Sequence, residues 1–432
     1  MVQSPRTVGA DDSTETRTEA WLEERLDEGI FESVGRFVFD DDGRPRRLTA
    51  YDFGRLRRKL KIFRWLDRLE FGSFLDVASG WEHMPYLVRQ RYGVPAYYCD
   101  VVHGLTLPSD GLLFGKLDHA VTLRLPVLPF RDDAFDVILC SEVLEHLVRP
   151  IESIAELLRV SRRYVVLTSL EALSPTRWRR FFSQHRVDVR QPHVERNFFL
   201  LDELQAIFGP GAQHESLQFS PDAPGSDFGP ADERERAYAA LTERADLEAA
   251  LVRSVARPGH APGSLGILVV HAKPGAPLRP PVPGTDAELA RWLIDAAVHE
   301  ERVAHEILEV SAAFQQHVEL RPKEPRADRA VAAALCSLLR CPNCRASVAP
   351  HASGVHCASC DTAFPGSWGV PILYPTREPG AEPSVEECLS RLCGTDSRRR
   401  ALVARVMRRL RRNEHPPGVL RRALWRLEGA RG

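Results

Sequence analysis

Four cysteines near the C-terminal end of the chain have the spacing of a metal site. They are Cys341 and Cys344 in one C-x-x-C pair, and Cys357 and Cys360 in a second. Four thiolates at this separation can surround Zn²⁺ tetrahedrally, and a site with four protein ligands has no open position for catalysis. The spacing therefore predicts a structural zinc site. His351 and His356 lie in the loop between the pairs and are alternative ligands, although four thiolates need neither.

Polar residues also follow two short apolar runs that are typical of buried strands. Asp100 ends the run at 96–100, and Ser141 and Glu142 follow the run at 135–140. In nucleotide-binding α/β folds, ligands lie at the carboxyl ends of the strands, and an acidic residue there accepts hydrogen bonds from ribose hydroxyls. We therefore expect Asp100 to bind a ribose, with an ordinary surface aspartate as the alternative. We expect Ser141 and Glu142 to begin a helix that faces the ligand. A dehydrogenase is disfavoured, because the full G-x-G-x-x-G is missing.

The elements that position these residues alternate between strands and helices. Strands are predicted at 74–77, 96–100, 135–140, 164–167 and 265–271, and helices at 50–72, 201–208 and about 231–256. This alternation indicates a parallel sheet covered by helices, that is, an α/β, doubly wound, Rossmann-like fold. A long amphipathic helix is predicted further on, at 286–318.

Composition divides the 432 residues into five regions. They are a polar N-terminal extension (1–49), the α/β domain (50–273), a linker and long helix (274–335), a zinc ribbon (336–376) and a basic helical C-terminus (377–432). A formal net charge of −1 excludes a global attraction to nucleic acid or membrane. The arginine-rich C-terminus is interpreted as a docked helix, with binding to RNA or an anionic membrane as the alternative. Without an apolar signal or spanning segment, we expect no transmembrane segment and a cytoplasmic protein.

Residues 125–147, LPVLPFRDDAFDVILCSEVLEHL, resemble the fourth strand and its exit in class I S-adenosylmethionine-dependent methyltransferases of the type 11-like kind. Residues 75–80, LDVASG, are similar to the acidic residue and glycine-rich turn after the first strand of that family. The resemblance implies a methyltransferase domain that binds S-adenosylmethionine. The implied cofactor-binding residues are Asp76, Ala78, Ser79, Gly80, Asp100, Leu125, Ser141 and Glu142.

Three positions depart from the family pattern. Ala78 and Glu82 stand where the family often has glycine, and Arg124 stands where many relatives have an acidic residue near the adenine. Glycine at such positions permits a positive φ or a close approach of the backbone to the ligand. The alternative function is therefore a catalytically inactive methyltransferase-like binding or scaffold protein.

The acceptor side is predicted in the segment that precedes the helix at 201–208. Residues 191–199, QPHVERNFF, resemble a segment of many small-molecule and glycan methyltransferases. This resemblance makes His193 a candidate catalytic base or acceptor ligand, since imidazole titrates near neutrality. A capping or loop histidine is the open alternative. The segment slightly favours a small-molecule or saccharide acceptor over RNA or protein.

The cysteine-rich region resembles a second family. Residues 338–375 are similar to the zinc ribbon of the small tRNA-methyltransferase activator family, including the F-P…G-V-P-I-L end. Proteins of that family activate or stabilise methyltransferase partners that act on tRNA, rRNA or protein. A similar module on the same chain as a methyltransferase-like domain supports the methyltransferase interpretation. With the basic C-terminus, it keeps RNA and protein open as acceptors.

Overall fold

The computed structural model describes most of the chain from residue 38 onwards, in ranges separated by gaps. The described ranges are 38–40, 42–46, 48–80, 84–101, 119–147, 149–170, 197, 199–209, 212–216, 236–256, 266–282, 284–315, 330–352, 354–367, 369–376 and 384–411. Among these residues, no helix combines the length and apolar character that crossing a bilayer requires.

Two sheets are present in the described part of the chain. The strands are β1 (Phe74–Val77), β2 (Ala96–Asp100), β3 (Ala120–Leu123), β4 (Phe135–Ser141), β5 (Ser161–Leu170), β6 (Gln213–Ser216), β7 (Gly266–Ala272), β8 (Ala349–His351), β9 (Gly354–Cys357), β10 (Thr362–Phe364), β11 (Gly366–Ser367) and β12 (Val370–Leu373). The large sheet has the order β11-β12-β3-β2-β1-β4-β5-β7-β6, and the small sheet has the order β10-β9-β8.

The order of the large sheet reverses at β1. This strand is parallel to both β2 and β4, and the chain runs outward through β2 and β3 before it crosses back to β4. All four residues of β1 are buried, as expected for a central strand covered on both faces. The crevice outside the carboxyl ends of β1 and β4 is therefore the topological switch point, where doubly wound folds bind ligands. The predicted α/β doubly wound fold is confirmed.

Helices cover both faces of this sheet. They are α1 (Ala50–Leu66), α2 (Met84–Tyr92), α3 (Pro150–Val160), α4 (Leu201–Phe208), α5 (Arg244–Val255), α6 (Thr285–Gln315), α7 (Ala333–Leu338), α8 (Val385–Cys393) and α9 (Ser397–Arg411). Helices α1, α2, α5 and α6 share the apolar core on one face. Helices α3, α4, α8 and α9 share the core on the other face. The arginine-rich segment is thus a docked helix along its described length, with Val403, Val406, Met407 and Leu410 buried.

The helix predicted to begin at Ser141 is absent, and that prediction was wrong. Ser141 is the last residue of β4, residues 144–146 form a turn, and the next helix, α3, begins at Pro150. The reason is tertiary. The side-chain amide of Asn197 donates to the carbonyl oxygens of Leu144 and Leu147, and so binds backbone acceptors that a helix would use itself.

The cysteine-rich region continues the large sheet. Strand β12 is parallel to β3, with Ile372 opposite Thr122 and Leu373 opposite Leu123. A second connection lies nearby, because the amide of Arg131 donates to the carbonyl of Leu338. Backbone hydrogen bonds therefore join the α/β unit to the segment that carries the four cysteines. The division into five regions stays a prediction.

A buried carboxylate holds three parts of the chain together. Glu156 of α3 is fully buried, and its side chain contacts Arg159 at 2.8 Å, Arg345 of the cysteine-rich region at 3.1 Å and Arg391 of α8 at 2.6 Å. Burial alone would raise the pKa of Glu156, but the hydrogen bonds and charges of the arginines outweigh it and lower the pKa to about 2. Glu156 is therefore a charged centre shared by the α/β unit, the cysteine-rich region and the C-terminal helices.

Candidate functional site

The turn after β1 folds back over the end of β2. Ala78 and Gly80 both have positive φ angles, 58° and 52°. The amide of Ser79 donates to the carbonyl of Cys99 at 3.1 Å, and the amide of Gly80 donates to Oδ2 of Asp100 at 3.0 Å. Ala78 thus adopts the left-handed conformation that glycine adopts most readily, at a cost of about 1–2 kcal/mol. The sequence departure at Ala78 leaves the turn intact.

Two buried carboxylates lie at the ends of neighbouring strands. Asp76 of β1 is 3% exposed, and Asp100 of β2 is 5% exposed. The Asp100 carboxylate is oriented by two backbone amides, because Val101 donates to Oδ1 at 2.7 Å and Gly80 donates to Oδ2. A charged acceptor held by fixed donors suits hydrogen bonding to a ligand hydroxyl. Among the described residues, a β-carbon added at Gly80 would meet no atom within 4 Å, so none of them fills the space beside this glycine.

The exit of β4 forms the next wall of the crevice. Glu142 has a φ of 56°, and its amide donates to the hydroxyl of Thr168 on β5 at 3.0 Å. The same hydroxyl lies 2.8 Å from Oγ of Ser141. A guanidinium nitrogen of Arg58, on α1, lies 3.5 Å from a carboxylate oxygen of Glu142. These contacts fix the predicted residues Ser141 and Glu142 at the carboxyl end of β4.

At the same end of the sheet, the segment after β3 contacts a side chain from the cysteine-rich region. Leu125 is half-buried and precedes Pro126 across a cis peptide bond. The guanidinium of Arg124 lies 5.4 Å from the ring centroid of Tyr374, which directly follows β12. The Tyr374 hydroxyl donates to the carbonyl of Val101. Arg124 therefore contacts an aromatic ring from the cysteine-rich region.

Two of the strands that end at the crevice carry a buried cysteine each. Cys99 of β2 and Cys140 of β4 are fully buried, and burial raises the pKa of each thiol well above its usual value. Both side chains are therefore neutral at physiological pH and belong to the apolar core on one face of the sheet. A buried neutral thiol is a poor nucleophile, which argues against covalent catalysis by either cysteine.

The structure brings most of the predicted cofactor residues to one crevice. Asp76, Ala78, Ser79, Gly80, Asp100, Ser141 and Glu142 follow or end β1, β2 and β4, and Leu125 follows β3. His193 and Glu82 lie outside the described residues, so the acceptor side stays a prediction. Arg58, Thr168 and Tyr374 were not predicted from sequence. The helical position of Arg58 and the apolar strand before Tyr374 are visible in the sequence, but their spatial neighbours are not.

The four predicted zinc ligands lie together. The four sulfur atoms all lie within 4.8 Å of one another; they belong to Cys341, Cys344, Cys357 and Cys360. The Cys341–Cys360 sulfurs are 3.6 Å apart and the Cys344–Cys357 sulfurs 3.5 Å apart, too long for disulfide bonds. A tetrahedron with Zn–S bonds of about 2.3 Å has edges of about 3.8 Å, so the cluster fits zinc.

Neighbouring residues keep the cysteine cluster compact. His356 lies 3.1 Å from the Asp361 carboxylate, so its imidazole has a partner other than the thiols. A β-carbon at Gly354 would lie 2.0 Å from the carbonyl oxygen of Phe364, so only glycine permits this close approach of β9 to the end of β10. A four-thiolate site without a histidine ligand is what this geometry favours.

Comparison with known proteins identifies the class. Residues 75–167, the run from β1 through β5, match the family model of a methyltransferase domain. This match spans the turn after β1, the end of β2 and the exit of β4. This part of the chain therefore carries a methyltransferase domain, as the resemblance predicted. No curated protein matches this sequence.

Solved structures of methyltransferases also resemble the chain. A complex of the Haloferax volcanii Trm112 methyltransferase activator with a protein described as a methyltransferase is 14% identical, with a TM-score of 0.37, and covers 62% of this chain and 100% of that one. A Thermotoga maritima S-adenosylmethionine-dependent methyltransferase is 11% identical, with a TM-score of 0.33, and covers 51% and 91%. The plantazolicin methyltransferase BpumL is 13% identical, with a TM-score of 0.36, and covers 60% and 96%.

Proposed function

We propose that the protein transfers a methyl group from S-adenosylmethionine to a small-molecule or saccharide acceptor. The observation that carries the proposal is the convergence of three strand exits at the switch point, where the Gly80 amide donates to the buried Asp100 carboxylate. In this proposal the cofactor is bound by the eight residues predicted from sequence, and Asp100 accepts hydrogen bonds from its ribose hydroxyls.

In the proposed reaction, the main role of the protein is to position the methyl donor and the acceptor rather than to supply an acid or a base. A bound sulfonium supplies an activated leaving group, so rate acceleration comes from holding donor and acceptor in line and close together. Thr168 fixes the backbone of Glu142, and Arg58 orients the Glu142 carboxylate at the mouth of the crevice. His193 is the proposed base or acceptor ligand, and His193→Gln is expected to lower kcat while cofactor affinity stays unchanged.

The contacts of α9 favour a small acceptor over RNA. Arg399 donates to the carbonyl oxygens of Ala206 and Leu392, so this arginine holds α9 in place. The apolar side of the helix is buried against α4 and α8. RNA or protein remains the second candidate acceptor, since exposed arginines such as Arg405 and Arg408 stay on the outer side.

Calorimetric titration with S-adenosylhomocysteine tests cofactor binding. Wild-type protein is expected to bind, and Asp100→Asn to weaken the affinity about 10- to 100-fold, because hydrogen bonds to a charged acceptor contribute about 1.5–3 kcal/mol. Asp42→Asn, at an exposed site, is the control and should bind like the wild type. No binding at millimolar ligand would overturn the function, and an unchanged affinity of Asp100→Asn would overturn the ribose assignment.

The acceptor class is tested by following tritiated methyl groups. The protein is incubated with labelled S-adenosylmethionine and separately with small-molecule, saccharide, RNA and protein fractions of a cell extract. We expect label in the small-molecule or saccharide fraction. Label confined to RNA or protein would select the second candidate, and absence of transfer despite cofactor binding would favour the inactive scaffold.

We further propose that the four cysteines hold one structural zinc ion. Zinc bound by four thiolates supplies folding energy and leaves no position for a substrate. The proposed role of this ion is to fix the two C-x-x-C loops in the segment that extends the large sheet through β12.

A further inference from the structure

We propose that Tyr374 is a positioning residue that couples the cysteine cluster to Asp100, so that cofactor affinity depends on the integrity of the metal site. The proposal rests on the proposed function, since it assigns Asp100 to the cofactor. It concerns a residue outside the methyltransferase domain that reaches the crevice.

The first step of the argument is the contact between Tyr374 and the end of β2. The phenol donates to the carbonyl of Val101, and the amide of Val101 donates to the Asp100 carboxylate at 2.7 Å. The backbone of Val101 is thus bound at its carbonyl by Tyr374 and at its amide by Asp100. The Arg124 guanidinium, 5.4 Å from the ring centroid, holds the aromatic ring from another side. A shift of Tyr374 would release the backbone that orients Asp100.

The second step is what holds Tyr374. Beyond it, Thr376 and Asn343 exchange two hydrogen bonds: the Thr376 amide donates to Oδ1 of Asn343 at 3.0 Å, and Nδ2 of Asn343 donates to the Thr376 hydroxyl at 2.8 Å. Asn343 lies inside the first C-x-x-C pair, and its amide donates to the sulfur of Cys341 at 3.4 Å. The loop that four thiolates would fix therefore binds the chain two residues after Tyr374.

The third step is that the pairing of β12 with β3 ends just before Tyr374. Strand β12 pairs with β3 at two residues, Ile372 and Leu373, the last of the strand. Two pairs at the end of a strand fray easily, because few backbone hydrogen bonds oppose the conformational entropy gained on opening. With the Asn343–Thr376 pair in place, Tyr374 is restrained on both sides along the chain.

Binding measurements on the full-length, zinc-loaded protein test this coupling. Tyr374→Phe is expected to weaken S-adenosylhomocysteine binding about 2- to 10-fold, the effect of one neutral hydrogen bond of about 0.5–1.5 kcal/mol. Tyr164→Phe is the matched control, because the phenol of Tyr164 also donates to a backbone carbonyl, that of Pro277. Tyr164 lies near the beginning of β5, at the end of the sheet away from the crevice. The control should bind like the wild type. Equal affinities of Tyr374→Phe and the wild type would overturn the proposal.

Asn343→Ala tests the connection to the cysteine loop without removing a thiol. Its zinc content, measured by elemental analysis, should equal that of the wild type, and its affinity should fall as in Tyr374→Phe. The double variant Tyr374→Phe/Asn343→Ala should bind no more weakly than the weaker single variant. Both substitutions interrupt the same connection between the cysteine loop and Asp100, so their effects should not add. Fully additive losses would show that the two residues act separately and would refute the coupling.

Hydrogen exchange provides a readout that needs no ligand. Amides of the peptide covering 96–101 should exchange faster in Tyr374→Phe than in the wild type, and at the wild-type rate in Tyr164→Phe. If wild-type protein fails to bind S-adenosylhomocysteine, the proposed function falls while this measurement still decides the role of Tyr374. Identical exchange in all three proteins would refute the restraint on the end of β2.

Discussion

Replacement of Glu156 by glutamine removes one negative charge and leaves the shape of the side chain nearly unchanged. The side chain keeps its size, but the guanidinium groups of Arg159, Arg345 and Arg391 lose the carboxylate that they share at 2.8, 3.1 and 2.6 Å. Since Glu156 is fully buried, water cannot replace the lost acceptor well. The substitution therefore weakens the junction between the α/β unit, the cysteine-rich region and α8.

Two estimates of the cost agree. The pKa of Glu156 is lowered from 4.5 to about 2, and this difference corresponds to roughly 3 kcal/mol of stabilisation of the charged form in the folded state. Removal of one partner from a buried ion pair costs about 3–5 kcal/mol in proteins generally. We therefore expect Glu156→Gln to lower the free energy of unfolding by about 3 kcal/mol at pH 7.

Urea unfolding followed by tryptophan fluorescence measures this loss. The control is Asp132→Asn, which removes an exposed carboxylate that lies 2.7 Å from the same Arg159. Because its side chain is 76% exposed, its loss should cost at most about 1 kcal/mol. A Glu156→Gln variant no less stable than Asp132→Asn would refute the reasoning.

The pH dependence gives a second check on Glu156. A carboxyl group with a depressed pKa in the folded state contributes its full stabilisation above its unfolded value, near 4.5, and loses it as the pH falls towards 2. The difference in unfolding free energy between wild type and Glu156→Gln should therefore be constant above about pH 5.5 and shrink below about pH 4.5. A difference that stayed constant down to pH 2.5 would contradict the assigned pKa.

Three further predictions concern other parts of the molecule. Elemental analysis should find one zinc per chain in the wild type and in Cys336→Ser but less in Cys357→Ser; equal zinc in both variants would exclude Cys357 as a ligand. Burial raises the pKa of Glu301 to about 7, so unfolding free energy should fall as pH rises from about 4.5 to 7, and Glu301→Gln should flatten this slope in paired urea titrations. Thr168→Val removes the hydroxyl that accepts from the Glu142 amide and should weaken S-adenosylhomocysteine binding by several-fold; wild-type affinity would show that the exit of β4 does not depend on it.

Local patterns predicted the parts of the fold whose cause is local. Strands β1, β2 and β4 are apolar runs buried in the centre of the sheet. The spacing of the four cysteines was likewise enough to predict that their sulfurs lie in one cluster. Strand β6, with the sequence QHES, has no such pattern, because its buried Glu215 contacts Lys61 and Arg64 from α1 rather than an apolar core. Nothing in a polar tetrapeptide indicates those partners.

Other features could not be predicted because they depend on distant contacts. The turn after Ser141 replaced the expected helix because Asn197 binds its carbonyl oxygens. Strand β12 is visible as the apolar run V-P-I-L, but its pairing with β3 joins residues far apart in sequence. The contact of Tyr374 with Val101 depends on that pairing, so neither composition nor periodicity could reveal it. The positions of the proposed cofactor residues could be predicted because most of them end or directly follow an apolar strand; their role stays a prediction.

During synthesis, β3 is complete long before its neighbour β12 exists. Leu123 and Leu373, which lie opposite each other, are 250 residues apart (373 − 123). At about 5–20 residues per second, the ribosome takes roughly 10–50 s to add that length. For that interval the nascent domain exposes the backbone donors and acceptors of an unpaired parallel edge, which can pair with another chain. The cysteine-rich region closes this edge from within the same polypeptide, and a chain that stopped before residue 370 would leave it open permanently.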